Sequence, residues 1–250
     1  MDGVGGLNAP LPFLSASPAR GDATALRQHA DRDGYLFLPG LLPRGAVEPL
    51  ADAALSLCAA HGFLLDGAGP GEARARPGIR LGAWDDPRWV SFLQDLLPRP
   101  EFAALGHHAE LFGVLSVLLP QGVRGGRGDV CRLVSPDARD HTTLAHQDRA
   151  YATGTAQLWT AWIPLVDCPR DLGPLAVLPG SHLGGLWPHA GEGSGRQGVA
   201  VPDDAVFASS DLAIGDVLFF SGLTVHGALP NVSPDRLRIS VDYRFEAAPA

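Results

Sequence analysis

The stretch Leu144-Ala145-His146-Gln147-Asp148 decides how this chain is read, together with one remote histidine, His226. On an extended strand alternate residues share a face, so His146 and Asp148 are expected to point one way and Gln147 the other. Two imidazoles and a carboxylate on one face make the 2-His-1-carboxylate triad, which grips one side of an octahedral Fe(II) and leaves the other positions open. Such an arrangement suits catalysis, because a closed structural site would leave the metal nothing to react with.

Working outward, the segments from Val130 onward alternate strand and turn. The expected strands are Val130–Val134, Leu144–Asp148, Ala156–Val166, Leu175–Leu178, Asp216–Phe220, Thr224–Gly227 and Arg236–Phe245. In the last of these every odd-numbered residue is apolar and every even-numbered residue polar. If the apolar face packs on outer helices, then Arg236, Arg238 and Ser240 face the interior. A buried guanidinium needs an anion, and its planar fork matches a carboxylate. Arg238 with Ser240 could hold the distal carboxylate of 2-oxoglutarate. On Gln157–Ile163 alternation puts Gln157, Trp159 and Ala161 on one face and Leu158, Thr160 and Trp162 on the other.

The N-terminal part is different in texture. Residues 1–21 read as a loose lead-in, and helices are expected over Asp22–Asp33, from Pro43 through Cys58, over Trp89–Leu97 and over Glu101–His108. Gly34–Gly40 reads as a short strand. Gly67–Gly78 is expected to be a mobile loop, and periodicity leaves the state of Leu111–Leu119 open. The expected organisation is therefore one domain over 1–250, with a largely helical layer over 22–128 and an all-β core over 129–246. That is a mainly β protein with N-terminal helices, as a sandwich or barrel.

Composition narrows the function. The chain has 250 residues, 46% of them hydrophobic, with a formal charge of −8. An acidic chain with scattered arginines argues against nucleic acid as partner. Three isolated cysteines, Cys58, Cys131 and Cys168, give no disulfide framework or zinc ribbon and suit a reducing, cytoplasmic setting. Neither a signal peptide nor an apolar run long enough to span a bilayer is visible. Three motifs are decoys: Gly193–Gly198 spells G-x-G-x-x-G without the flanking strand and helix, and Arg127-Gly128-Asp129 and Asn231-Val232-Ser233 match tripeptides that chance explains. The other histidines, His107, His108, His141 and His189, lack partners at a telling spacing, and Arg132, which could meet an acidic substrate, is expected rather on a solvated face. Ser181-His182 reads as a turn device.

Taken together, His146-Gln147-Asp148, Trp159-Thr160-Ala161, Gly173 to His182, and His226-Gly227 followed by Asn231 and Arg238 resemble the phytanoyl-CoA dioxygenase family. The likeness covers roughly residues 130 to 246. It implies a double-stranded β-helix (a cupin-like jelly roll) and an Fe(II)/2-oxoglutarate oxygenase that consumes O2. It implies His146, Asp148 and His226 as iron ligands, an arginine after the distal histidine as co-substrate anchor, and Trp159 near the co-substrate. One departure is an extra residue around Pro234, which lets Arg236 compete with Arg238. Arg238 is preferred, because Arg-x-Ser is the pairing similar oxygenases use. Similar halogenases replace the carboxylate by a small residue, so Asp148 points to hydroxylation or a related oxidation rather than halogenation.

The expected reaction is oxidation of a small organic molecule with release of succinate and CO2. The Lys-free, Arg- and Ala-rich composition suggests a high-GC bacterium, where such enzymes tailor secondary metabolites. No basic cluster suited to coenzyme A phosphates is visible. Desaturation, epimerisation or ring formation at the same iron would share this sequence signature. A redox-inert jelly-roll binding module is the rival from another class, and it would need neither the triad nor the anchor. The substrate and the oligomeric state are left open.

Overall fold

The computed structural model describes residues 10–81, 86–125, 128–137, 143–152, 157–190 and 198–248. His141 and most of the Gly193–Gly198 motif fall outside them. The helices form where the local chemistry starts and stops them. Asp22 accepts from the main-chain N–H groups of Thr24 and Ala25 and opens α1 (Ala23–Asp33), which Gly34 ends at φ 75°. α2 (Arg44–Ala60) follows Pro43. Pro87 and Pro100 sit in the first turns of α3 (Pro87–Leu96) and α4 (Pro100–Gly106), where their missing N–H costs nothing. The undecided apolar run is helical, as α5 (Ala109–Leu118), and the His108 side chain accepts from Glu110 N at its start. None of the helices among the described residues is long and apolar enough to cross a membrane.

Among the described residues there are ten strands: β1 (Tyr35–Leu38), β2 (Val123–Gly125), β3 (Val130–Val134), β4 (Leu158–Pro164), β5 (Leu175–Val177), β6 (His189–Ala190), β7 (Gly198–Val199), β8 (Val217–Ser221), β9 (His226–Ala228) and β10 (Arg238–Ala247). The major sheet is antiparallel in the order β1-β8-β4-β10-β2, with β3 also on β10. β10 pairs along one side with β4 and along the other first with β3, then with β2. The minor sheet pairs β5 with β9 and is widened by single bridges, His146 to His226 and Val177 to Ala208. β6 and β7 form a separate ribbon. The two sheets make a jelly roll.

The alternation of β10 does what the sequence implied. Leu237, Ile239, Val241, Tyr243 and Phe245 are buried in the main hydrophobic core, on the side of the helices. The Tyr243 ring lies 4.9 Å from Phe102 of α4, and Phe245 meets Phe112 of α5 edge-on at 5.9 Å. The Tyr243 hydroxyl donates to Phe102 O at 2.8 Å, so its one polar atom is satisfied. The even-numbered residues are thereby turned into the space between the sheets. The three cysteines are free and buried.

Three expectations change. Residues 10–19, expected to be loose, are docked: Leu11 bridges to Ala208, Ser15 to Phe37, and Phe13, Ala16 and Ala19 are buried. Gly67–Gly78, expected to be mobile, is pinned beside the approach to β10, with Ala75 N donating to Asp235 O (2.7 Å) and Leu237 N to Ala73 O (2.8 Å). Small buried residues, Ala73 and Ala75, let the two backbones approach, a signal that Gly/Pro/Arg composition masks. Finally, the strand expected at Leu144–Asp148 shrinks to the single His146 bridge, because Asp148 opens a 3-10 turn over Asp148–Ala150.

Candidate metal and co-substrate site

His146 and His226 face each other across their bridge, with main-chain bonds in both directions of 2.8 and 2.9 Å. Each ring is fixed by its own chain: Nδ1 of His146 lies 2.7 Å from Leu144 O, and Nδ1 of His226 lies 2.9 Å from Thr224 O. A carbonyl only accepts, so the proton sits on Nδ1 and the Nε2 lone pairs turn inward. They lie 3.6 and 3.7 Å from Asp148 Oδ1. All three side chains are buried, and their ligand atoms lie within 4.8 Å of one another. The three residues thus meet as one buried cluster that could hold a metal ion.

Electrostatics prepares them. Burial alone would raise the Asp148 carboxyl, but Arg244 and the two imidazoles hold it well below the usual carboxylate range. Burial, with His146 adding to it, pulls the His226 imidazole down from 6.5 to about 3. An ionised carboxylate and neutral imidazole are the forms a divalent cation requires. A stability consequence follows. Between about pH 3 and 6.5 the unfolded chain takes up a proton that folded His226 refuses, so stability falls as pH drops through this window. Thermal melts of the metal-free protein should show a lower Tm at pH 5 than at pH 7. The slope, at most ~1.4 kcal/mol per pH unit from one group, should flatten in His226→Asn.

Gln147 points away from this cluster, as the strand alternation implied. Its Nε2 donates to Gly185 O (2.8 Å) and Leu223 O (2.5 Å), and its Oε1 accepts from Trp187 N at 2.7 Å. Its main-chain N–H donates to Nε2 of His189 at 3.1 Å, so His189 is tied into the site's wall. Ser181 is the turn device expected, its hydroxyl donating to Leu178 O and accepting from Val225 N.

Arg238 is fully buried on the inward face of β10. Nη1 donates to Gly173 O at 2.7 Å. Nε and Nη2 are buried without a hydrogen-bond partner among the described residues, and so is the Ser240 hydroxyl two residues on. Burial pulls this guanidinium below its ordinary pKa. Unsatisfied donors on a buried charge cost several kcal/mol, and a carboxylate is the group that would satisfy them. Arg236 differs: it lies toward the surface, and Nη2 donates to Asp167 O at 3.1 Å.

Gly173 supports this arginine in a conformation only glycine adopts readily, at φ +74°. A Cβ there would press on Leu229 O and sit 2.8 Å from Asn231 N. Gly173→Ala is therefore expected to cost at least ~2 kcal/mol, visible as a Tm lowered by several degrees. It should also weaken 2-oxoglutarate binding by moving the carbonyl that holds Arg238.

Trp159 needs correction. It pairs with Phe245 across the strands and packs on the main core, so it lies on the helix side of the sheet, away from the triad. The inward residues of β4 are Thr160, paired with Arg244, and Trp162, paired with Asp242. The Trp162 indole N–H is buried without a hydrogen-bond partner among the described residues. Arg132, expected on a solvated face, is turned inward, with Nε 2.6 Å from Asp242 Oδ2. Thr160 and Arg244, which the sequence reading passed over, both bond Asp148, at 2.7 Å from the threonine hydroxyl and 3.1 Å from Arg244 Nε. The signal for both was present: Thr160 lies on the face opposite Trp159, and Arg244 continues the register of Arg238 and Ser240.

The family model for phytanoyl-CoA dioxygenase matches residues 30–240. The chain belongs to that family. A curated relative, 1-deoxypentalenic acid 11-beta-hydroxylase of Streptomyces arenae, is 28% identical over 94% of this chain and 85% of its own length. Among solved structures, the epimerase SnoN, described in complex with Fe3+, alpha ketoglutarate and nogalamycin RO, superposes with a TM-score of 0.67 at 23% identity. That match covers 92% of this chain and 85% of SnoN. The carbocyclase SnoK of nogalamycin biosynthesis gives 0.59 at 22% identity, over 94% and 88% of the two chains. These two neighbours share the fold.

Proposed function

We propose that this protein is an Fe(II)- and 2-oxoglutarate-dependent oxygenase that hydroxylates a C–H bond of a small organic molecule of secondary metabolism. One observation carries the reading: three inward-turned ligand atoms and a buried guanidinium with two idle donors share the interior of one jelly roll. His146, Asp148 and His226 would hold the iron. Arg238 and Ser240 would hold the distal carboxylate of 2-oxoglutarate, and both are the residue types that chemistry asks for. A pure binding module has no use for either set.

Iron, 2-oxoglutarate and O2 together supply the oxidising power for C–H hydroxylation, with succinate and CO2 as by-products. The chain's own contribution is positional. The two Nδ1 contacts fix both imidazoles, and Arg238 fixes the co-substrate's far end. The curated relative, named as a hydroxylase over most of both chains, favours hydroxylation over epimerisation or ring formation. With an acidic chain and no basic cluster, the partner is a small molecule rather than a nucleic acid.

The experiment is an anaerobic titration of the metal-free protein with Fe(II) and 2-oxoglutarate. A weak visible metal-to-ligand charge-transfer band is the expected result. A wild-type protein that binds neither partner and shows no band would end the oxygenase reading.

A further inference from the structure

The two oxygens of Asp148 are treated unequally. Oδ2 accepts from Thr160 Oγ1 at 2.7 Å and from Arg244 Nε at 3.1 Å. Oδ1 faces the two imidazole Nε2 atoms at 3.6 and 3.7 Å, with one longer contact, 3.2 Å, from Arg244 Nη2. The donors are themselves anchored. Thr160 is fully buried. Arg244 is gripped from several sides: its main-chain N–H donates to Asp129 Oδ1 at 2.8 Å, and Nη1 donates to Gly128 O. Its guanidinium also lies 3.8 Å from Asp242, which Arg132 holds in turn.

The geometry points to Arg244 and Thr160 as positioning residues that keep Asp148 a one-oxygen ligand. This rests on the iron reading given above. A carboxylate oxygen offers two in-plane lone pairs, and on Oδ2 both are taken by donors. Oδ1 alone remains for the metal. A carboxylate without such donors can swing to chelate through both oxygens, as it does around other divalent cations. On an octahedral iron, two imidazoles and one oxygen would fill three of the six positions. A bidentate co-substrate would take two more, which would leave one for O2. Chelation by Asp148 through both oxygens would fill that last position. Arginine suits the task because its planar fork fixes the plane of the carboxylate, whereas a lysine would pin a point.

Nitric oxide tests this, since it binds the O2 position of Fe(II) and gives an EPR signal independent of turnover. The protein, loaded anaerobically with Fe(II) and 2-oxoglutarate, would be titrated with nitric oxide as wild type, Arg244→Leu, Arg244→Lys and Thr160→Val. The two deletions should keep the charge-transfer band but bind nitric oxide more weakly, by about tenfold or more in Arg244→Leu (~1.4 kcal/mol) and by less in Thr160→Val. Arg244→Lys should recover part of the loss. Wild-type nitric oxide affinity in both deletions would overturn the proposal. So would loss of the band in Arg244→Leu with wild-type behaviour in Thr160→Val, which would make Arg244 a mere counter-ion. If Arg244→Leu does not fold, Thr160→Val decides, as it removes one hydroxyl and no charge. A wild type without any band would instead sink the iron reading itself.

Discussion

Asp148→Ala is expected to lower substrate hydroxylation by on the order of a thousandfold or more, well beyond the roughly 10–100-fold that losing a mere partner of a metal ligand costs. The carboxylate is the one anion among the three proposed ligands, and it is the group to which Thr160 and Arg244 are aimed. Removing it leaves the buried Arg244 charge facing two imidazoles with only the more distant Asp242, itself shared with Arg132, to offset it, which disfavours a divalent cation. Fe(II) binding, read from the charge-transfer band, should weaken in parallel with turnover. His146→Ala should behave similarly, because it takes away an Nε2 lone pair already oriented by Leu144 O. Retention of the band with full intensity in either variant would show that the metal sits elsewhere.

Arg238→Met should raise the 2-oxoglutarate requirement by about a hundredfold, the loss of roughly 3 kcal/mol from charge-assisted bonds. The same change has a second, opposite consequence. In the absence of co-substrate the wild-type protein carries a buried guanidinium with two donors that find no partner among the described residues. An apolar side chain of similar volume relieves that cost, so the unliganded variant should melt at the same temperature or higher. A purely structural arginine would give the reverse, with lower Tm and unaltered co-substrate binding. Arg236→Met, changed near the surface where its partner is a main-chain carbonyl, should leave 2-oxoglutarate binding unaltered.

Much of this was legible from residue order alone, because alternation is a strong signal where one sheet face is apolar. The run from Leu237 to Phe245 gave both faces of β10 correctly, and with them the buried position of Arg238. The same rule placed Thr160 and Trp162 together and opposite Trp159, yet resemblance favoured Trp159, which the structure puts against the helices. Arg132 was misjudged because a charged residue on a strand looks solvated until its cross-strand partner is known. That partner, Asp242, lies 110 positions away. The pinned segment at Gly67–Gly78 was illegible for a similar reason, since its partners, Asp235 and Leu237, belong to the far end of the chain.

β10 acts as a ruler laid through the molecule. Arg238, Ser240 and Arg244 are its inward graduations, and Tyr243 and Phe245 key its back into the helices. Because side chains alternate with a period of two, gaining or losing one residue within this strand would turn the charges into the helix contacts and the aromatics into the site. Changes in length must therefore be taken up before the strand begins. The turn there is tied at its base, with Asn231 bonding Val134 O and Arg236 O and Ser233 closing back on Asn231, while Val232 and Pro234 are exposed. An extra residue near Pro234, as the family resemblance implies, would fall ahead of the strand at the exposed part of this turn and leave the spacing between Arg238 and Arg244 unaltered.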